Sequence, residues 1–468
     1  MPFSNLFFIF MFLPLSLILY YVSPVKIKNV TLTVVSLIFY SWGTPKYIFF
    51  MLFSILFNYF AGLELGKLKE NFGSEKRIKM TMIFAVLANI LLLCFFKYWG
   101  FVVDNLNLIP FVKLSNPGLA APIGISFFTF QVLSYIFDVY RDKAPAQKNV
   151  IDFALYVSFF PKLIQGPICE YNKFFTQLKD RSVNIYQFGE GARLFILGLA
   201  KKMILADNFS QSYTQVSALT SMSTGSAWLG CIFYTLDIYF DWTSYTDMAT
   251  GIAKMFGFDV GKNFDYPYSS LTVAEFWRRW HISLGAWFRN YVYIPLGGNR
   301  VSKPKYIRNI MTVWFLTGFW HGSGWNFIVW GLFYGCILLL ENFVLKDILP
   351  KIPNVAKRIY TMLMVMIGWV FFYSPNLGAA IRWLGKMFFI GSAGIWDTSA
   401  TYFFSGNLLL LIIGIIGCTQ FIPKLSKRLT EFGTLGTAAI NVTYIILLIG
   451  SIAYMVNSTY SSFLYFQF

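Results

Sequence analysis

Two residues stand out as able to do chemistry: His281 and His321, the only histidines in 468 residues. Imidazole titrates near neutral pH and can take a proton from a hydroxyl without a large pKa shift. A hydroxyl so activated could attack a thioester, and His321 could also carry an acyl group in transit. Other candidates are weaker. Ser323 is close to His321, but Gly322-Ser323-Gly324 reads as a turn rather than a nucleophile. Asp237, Asp241 and Asp247 could orient a base or bind a polar substrate, though interfacial capping is the plainer reading. There is no Walker loop and no kinase signature. The five cysteines, Cys94, Cys169, Cys231, Cys336 and Cys418, form no Cys-x-x-Cys pair and read as buried packing thiols. With two histidines, a metal site of ordinary ligand number is not expected.

Both histidines lie in an unusual stretch. Between Glu275 and Glu341 there is no acidic residue, and there are seven basic ones: Arg278, Arg279, Arg289, Arg300, Lys303, Lys305 and Arg308. Its first half runs Phe276-Trp277-Arg278-Arg279-Trp280-His281-Ile282-Ser283-Leu284 and on to Trp287-Phe288-Arg289-Asn290-Tyr291. Aromatic residues at helical spacing, mixed with arginine, predict an amphipathic helix at the cytoplasmic interface. It is either an anchor with snorkelling arginines or a basic wall for a phosphate-bearing donor such as a coenzyme A thioester; the two are compatible. Trp277, Arg278, Arg279, Trp280 and Arg289 are the candidate donor-side residues. Ile294-Pro295-Leu296-Gly297-Gly298-Asn299-Arg300 follows as a tight turn or loop.

His321 comes thirteen residues after Arg308, which marks the cytoplasmic edge. At a rise of about 1.5 Å per residue this places the histidine about 20 Å into a hydrocarbon core about 30 Å thick. The glycines that follow should end the helix, leaving His321 at the tip of a helical hairpin. A polar side chain at that depth needs a partner or a cavity. Catalysis and a plain interhelical hydrogen bond are both open on depth alone.

The elements that must position these residues are membrane helices. Hydrophobic residues make up 57% of the chain and charged ones 13%, about half the charged share of a soluble domain. Apolar runs are continuous rather than alternating, which excludes an outer-membrane barrel. The net charge of +17 does not indicate nucleic-acid binding. The Lys and Arg residues cluster between apolar runs, where they set topology and touch anionic lipid. The first span is read at Leu6 to Tyr21, followed by Lys26 and Lys28. A tight turn, Gly43-Thr44-Pro45-Lys46, joins spans two and three. The basic loop Lys67 to Lys79, a fourth span from Met80 to Tyr98 and a charge-poor loop ending in Pro117-Gly118 come next. A fifth span, Ile123 to Val139, leads back to Arg141, Lys143 and Lys148. This asymmetry puts the N-terminus outside. Val150 to Ile168 has charged flanks on both sides. It is either re-entrant, broken at Pro161, Gly166 and Pro167, or an ordinary span. Further spans are expected near Ala192–Ala206, Ala227–Phe240, Asn309–Trp320, Asn326–Leu340, Ile359–Tyr373, Leu408–Phe421 and Ala438–Met455. The expected fold is therefore all-α and polytopic, with about twelve spanning helices plus re-entrant and interfacial ones. No repeat relates the two halves, which disfavours a transporter.

The chain resembles the membrane-bound O-acyltransferase family, in its bacterial alginate and polysaccharide O-acetylation branch. The segments that carry the likeness are Phe276 to Leu284, Tyr293-Ile294-Pro295-Leu296-Gly297-Gly298-Asn299-Arg300 and Leu316-Thr317-Gly318-Phe319-Trp320-His321-Gly322. Pro122 to Gln131 and Phe160 to Ile168 add support. Two departures stand out: Asn290 replaces an aspartate, and Phe240-Asp241-Trp242-Thr243-Ser244-Tyr245 replaces Phe-Asp-Phe-Ser-Gly-Tyr. The resemblance implies a single membrane-embedded domain over residues 1–468, best supported over 120–341, with helices ringed around a central tunnel. It implies that His321 is catalytic and that His281 either binds donor or holds structure. It further implies an acetyl group drawn from a cytoplasmic acetyl-CoA or other acyl thioester, with no tightly bound cofactor. The group would pass across the bacterial cytoplasmic membrane to hydroxyls of a surface polysaccharide, with an extracytoplasmic acetyltransferase as partner. D-alanyl transfer to teichoic acid, a non-enzymatic glycan or lipid transporter, and a scaffold for a secreted acetyltransferase remain as alternatives.

Overall fold

A computed structural model describes residues 1–42, 45–116, 118 and 120–457. Gly43, Thr44 and Pro117, named in the turn and loop above, lie outside them. Every regular element among the described residues is helical. Five helices are long and apolar enough to cross a membrane: Pro45–Glu70, Glu75–Lys97, Trp325–Phe343, Asn354–Tyr373 and Gly433–Asn457. A pair bent by 58°, Thr398–Gly406 and Leu408–Gly417, would make a sixth. The stretch expected as a span near Leu408–Phe421 is helical over Leu408–Gly417, just after a bend at Asn407, and Phe421 opens a separate helix. Phe8–Val22 and Ile125–Tyr140 are apolar but shorter.

The chain forms two compact units: residues 1–195 with 248–261, and residues 196–247 with 262–468. In the first, Asn58 and Asn89 exchange side-chain hydrogen bonds of 3.0 and 2.7 Å between the helices Ile48–Glu70 and Glu75–Lys97. Each amide thereby satisfies the other where lipid offers no partner. The segment Val150 to Ile168, read as either re-entrant or an ordinary span, is an interrupted helix. Helix Val150–Ser158 stops at Phe159, one turn spans Phe160–Leu163, and residues 164–170 are not helical. A Cβ on Gly166 would collide with the Lys162 Cα. The Lys162 ammonium is fully buried and donates to Gln131 Oε1 at 2.6 Å and to the Tyr156 carbonyl at 2.5 Å.

The second unit holds both histidines. Six helices matter here: α1 (Thr224–Met255, of which residues up to 247 belong to this unit), α2 (Val273–Arg279), α3 (Ile282–Phe288), α4 (Lys303–His321), α5 (Trp325–Phe343) and α6 (Asn354–Tyr373). Helices α4 and α5 form the hairpin expected from Gly322-Ser323-Gly324. Gly318 and Gly331 let the two backbones touch: a Cβ on Gly318 would meet the Phe327 carbonyl, and one on Gly331 the Trp314 carbonyl. Gly322 and Gly324 have extended backbones that any residue adopts. They are glycine for space, since a Cβ on Gly322 would enter the Phe327 ring. Asn326 ties the tip to the end of α6, donating to the carbonyls of Phe371 (3.2 Å) and Ser374 (3.0 Å).

Cysteine placement differs in part from expectation. Cys169, Cys231 and Cys418 are buried, Cys94 is half-buried, and Cys336 on α5 is exposed.

Candidate active site

The amphipathic helix expected from Phe276 to Tyr291 is two short helices with a break at Trp280-His281. Aromatic spacing runs straight through that point, but tertiary hydrogen bonds override it. The Asp265 N–H donates to the Arg279 carbonyl, and the Ile282 N–H to the Asn263 carbonyl, both at 2.9 Å. The Asn263 side chain also accepts from the N–H and hydroxyl of Ser283. Pinned on both sides, His281 takes a left-handed backbone with φ +46°, ψ 53° and becomes the N-cap of α3. Such conformations are uncommon for non-glycine residues and concentrate at functional sites.

Helix α2 starts on two devices. Thr272 Oγ1 accepts from the Glu275 N–H at 3.0 Å, and Glu275 accepts from the Leu271 N–H at 2.8 Å, a variant of the capping box. Glu341, near the end of α5, accepts from the N–H groups of Val273 (2.7 Å) and Ala274 (2.9 Å). The hairpin that carries His321 is thereby fastened to the helix that carries Trp277 and Arg278.

Two adjoining cavities follow. The wider, about 840 Å³, opens among α2, α3, the start of α4 and the connection after α5. Its basic lining residues are Arg278, Arg289, Lys346 and Lys357. Its carboxylates are already engaged: Glu341 by the two amides, and Glu275 by Arg279 at 2.6 Å. The lining therefore favours an anionic guest. The narrower cavity, about 180 Å³, shares Trp277, Gly285, Arg289 and Ile310 with the first. It follows one face of α4 through Ile310, Val313, Trp314 and Thr317 to His321, with Trp280, His281, Leu284 and Phe288 opposite. Ile310 to His321 is eleven residues, or about 16 Å of helix.

His321 is buried at the end of this path. Its ring meets those of Trp320 (centroids 4.9 Å apart), Trp330 (5.0 Å), Phe372 (5.2 Å) and Trp242 (6.0 Å). His281 is buried as well, its ring 5.0 Å from Trp242 and 6.2 Å from Trp320. His281 lies outside the candidate spans, and burial pushes its imidazole down to about 3, so it is neutral at physiological pH. Its Nδ1 has no hydrogen-bond partner among the described residues.

Of the residues singled out by sequence, Trp277 and Arg289 border both cavities, Arg278 the wide one, and Trp280, His281 and His321 the narrow one. Arg279 lines neither. It pairs with Glu275 and donates to Ser269 Oγ at 3.2 Å. Asp237, Asp241 and Asp247 are also away from the cavities. Asp241 pairs with Lys202 at 2.6 Å and Asp247 with Lys201 at 2.6 Å. Among the described residues no group of three or more His, Cys, Asp or Glu side chains could hold a metal. Sequence reasoning missed Lys346 and Lys357, which lie beyond the acid-free stretch, and the aromatic enclosure of Trp242, Trp330 and Phe372.

The family model for the membrane-bound O-acyltransferases matches residues 79–378. The chain belongs to this family. It is 36% identical to a probable alginate O-acetylase, AlgI, of Azotobacter vinelandii over the whole of both chains. It is 35% identical to a peptidoglycan O-acetyltransferase of Helicobacter pylori, covering 84% of this chain and 80% of that one. A teichoic acid D-alanyltransferase of Streptococcus thermophilus is more distant, at 28% over 47% of this chain and 56% of its own. This acyltransferase is therefore a membrane enzyme of the O-acetylase type.

Proposed function

We propose that the protein moves an acetyl group from a cytoplasmic coenzyme A thioester toward hydroxyls of an extracytoplasmic polysaccharide. The reading rests above all on one observation: a wide cation-lined cavity adjoins a narrow aromatic one whose far end is His321. The donor's phosphates sit among Arg278, Arg289, Lys346 and Lys357, and its pantetheine arm follows α4 toward the histidines. Trp277 and Trp280 flank the arm. His321 takes the proton from the acceptor hydroxyl as that oxygen attacks the thioester carbonyl. The tetrahedral oxyanion then collapses, the C–S bond breaks, and the departing thiolate takes the proton from the imidazolium. Neutral His281 holds the opposite wall of the path and the break between α2 and α3.

The chain sits in the bacterial cytoplasmic membrane with its N-terminus outside. The group leaves on the outer side, where a partner acetyltransferase passes it to the polymer. The two O-acetylase relatives favour acetyl over D-alanyl transfer, because the D-alanyl relative matches less of the chain.

The test is base-labile acetate on the cell-surface polymer, wild type against His321→Ala at matched membrane expression. Loss of ester from a folded variant supports the reading. Ester at normal levels would remove His321 from the chemistry and bring a transporter or scaffold role forward.

A further inference from the structure

Both imidazoles line the narrow cavity, and one further side chain adjoins both. The Trp242 ring lies 5.0 Å from that of His281 and 6.0 Å from that of His321, and it is not itself part of the cavity wall. It packs against Trp280, a wall residue of the cavity, stacked at 6.3 Å, and against Phe264, edge-on at 6.2 Å. Trp242 is buried, at 8% exposed. A thioester carbonyl placed at His321 has its sulfur side in the path along α4. Its acyl tail runs the other way, into the aromatic enclosure of Trp320, Trp330, Phe372 and Trp242, of which Trp242 also touches His281.

We infer that Trp242 is the end stop that sets acyl length, admitting a two-carbon group and excluding longer chains. The inference rests on the donor reading above and extends it to a specificity residue. Interiors of this kind are close-packed and yield little to an added methylene. A tail of four or more carbons would have to displace a ring wedged between two histidines and two further aromatic side chains. Trp242→Phe frees part of an indole, and Trp242→Ala frees nearly all of it.

The experiment uses the purified full chain in lipid nanodiscs. Its melting temperature is followed while S-ethyl-, S-butyl- and S-octyl-coenzyme A are added as non-transferable thioether probes. Wild type is expected to bind the ethyl probe at least about tenfold more tightly than the octyl probe. Trp242→Phe should admit the butyl probe. Trp242→Ala should bring the octyl probe to within about threefold of the ethyl one. If Trp242→Ala does not fold, the profile of Trp242→Phe decides. Equal binding of all three probes by wild type would overturn the inference while leaving the coenzyme A donor intact. So would an unchanged preference in a folded variant. Failure of every probe to bind wild type would overturn the donor reading itself, and the length rule with it.

Discussion

Gly318 and Gly331 face each other across the hairpin so closely that a Cβ added to either would stand about 3.2 or 3.1 Å from the other's Cα. His321 is three residues beyond Gly318, so the separation of the two arms sets where the imidazole stands. Gly331→Ala also drives a methyl into the Trp314 carbonyl. Overpacking of this kind costs about 1–3 kcal/mol. The variant is expected to melt lower in detergent and to lose ester formation out of proportion to its expression, as read by base-labile acetate.

Arg278 and Arg279 are neighbours in sequence and separate in role. Arg278 lines the wide cavity, whereas Arg279 is spent on Glu275 and Ser269. Arg278→Ala should raise the KM for an acyl-CoA donor by about tenfold, the loss of one charge-assisted contact, with little change in melting temperature. Arg279→Ala should leave KM unchanged and lower the melting temperature slightly. Titration of thiol release against donor concentration separates the two.

Glu341 turns both carboxylate oxygens onto the start of α2. Removing them leaves two amides unsatisfied, at about 1–3 kcal/mol. Glu341→Ala is expected to loosen α2, raise the donor KM and speed amide exchange at Val273 and Ala274. Glu341→Asp, which keeps the charge, should recover part of each. Hydrogen exchange followed by mass spectrometry reads the effect at those amides.

His281 gives a pH dependence with a definite sign. Its folded pKa of about 3 lies below the ordinary histidine value of about 6.5. Below 6.5 the unfolded chain takes up a proton that the folded one refuses, so stability falls as pH drops from about 6.5 toward 3. At pH 5 the loss is on the order of 2 kcal/mol. Wild type should lose more melting temperature between pH 7.5 and 5 than His281→Asn, which tolerates the same backbone and does not titrate.

The hairpin was legible in the sequence because its signals are local. Arg308 marks an edge, the apolar run has a countable length, and Gly322-Ser323-Gly324 can only interrupt a helix there. The break at His281 was not legible, because hydrogen bonds from Asn263 and Asp265 impose it on a segment whose spacing still reads as one helix. Lys346 and Lys357 were hidden for a different reason. They follow an ordinary apolar helix, and only the fold of α5 onto α2 carries them to the cavity. Trp242 was visible as a departure from the family pattern, but nothing in that pattern places an α1 side chain between two histidines from other segments. The bend at Asn407 lies just before the expected span, which begins at Leu408, and Ser405-Gly406-Asn407 marks it in the sequence.

Cys336 is exposed on the outward face of the arm that packs Gly335 against Met311 and Trp314, while Cys169, Cys231 and Cys418 are buried and Cys94 half so. The protein thus carries a native attachment point for a membrane-permeant fluorophore or spin label. A probe there would report the hairpin's motions during turnover without any engineered residue.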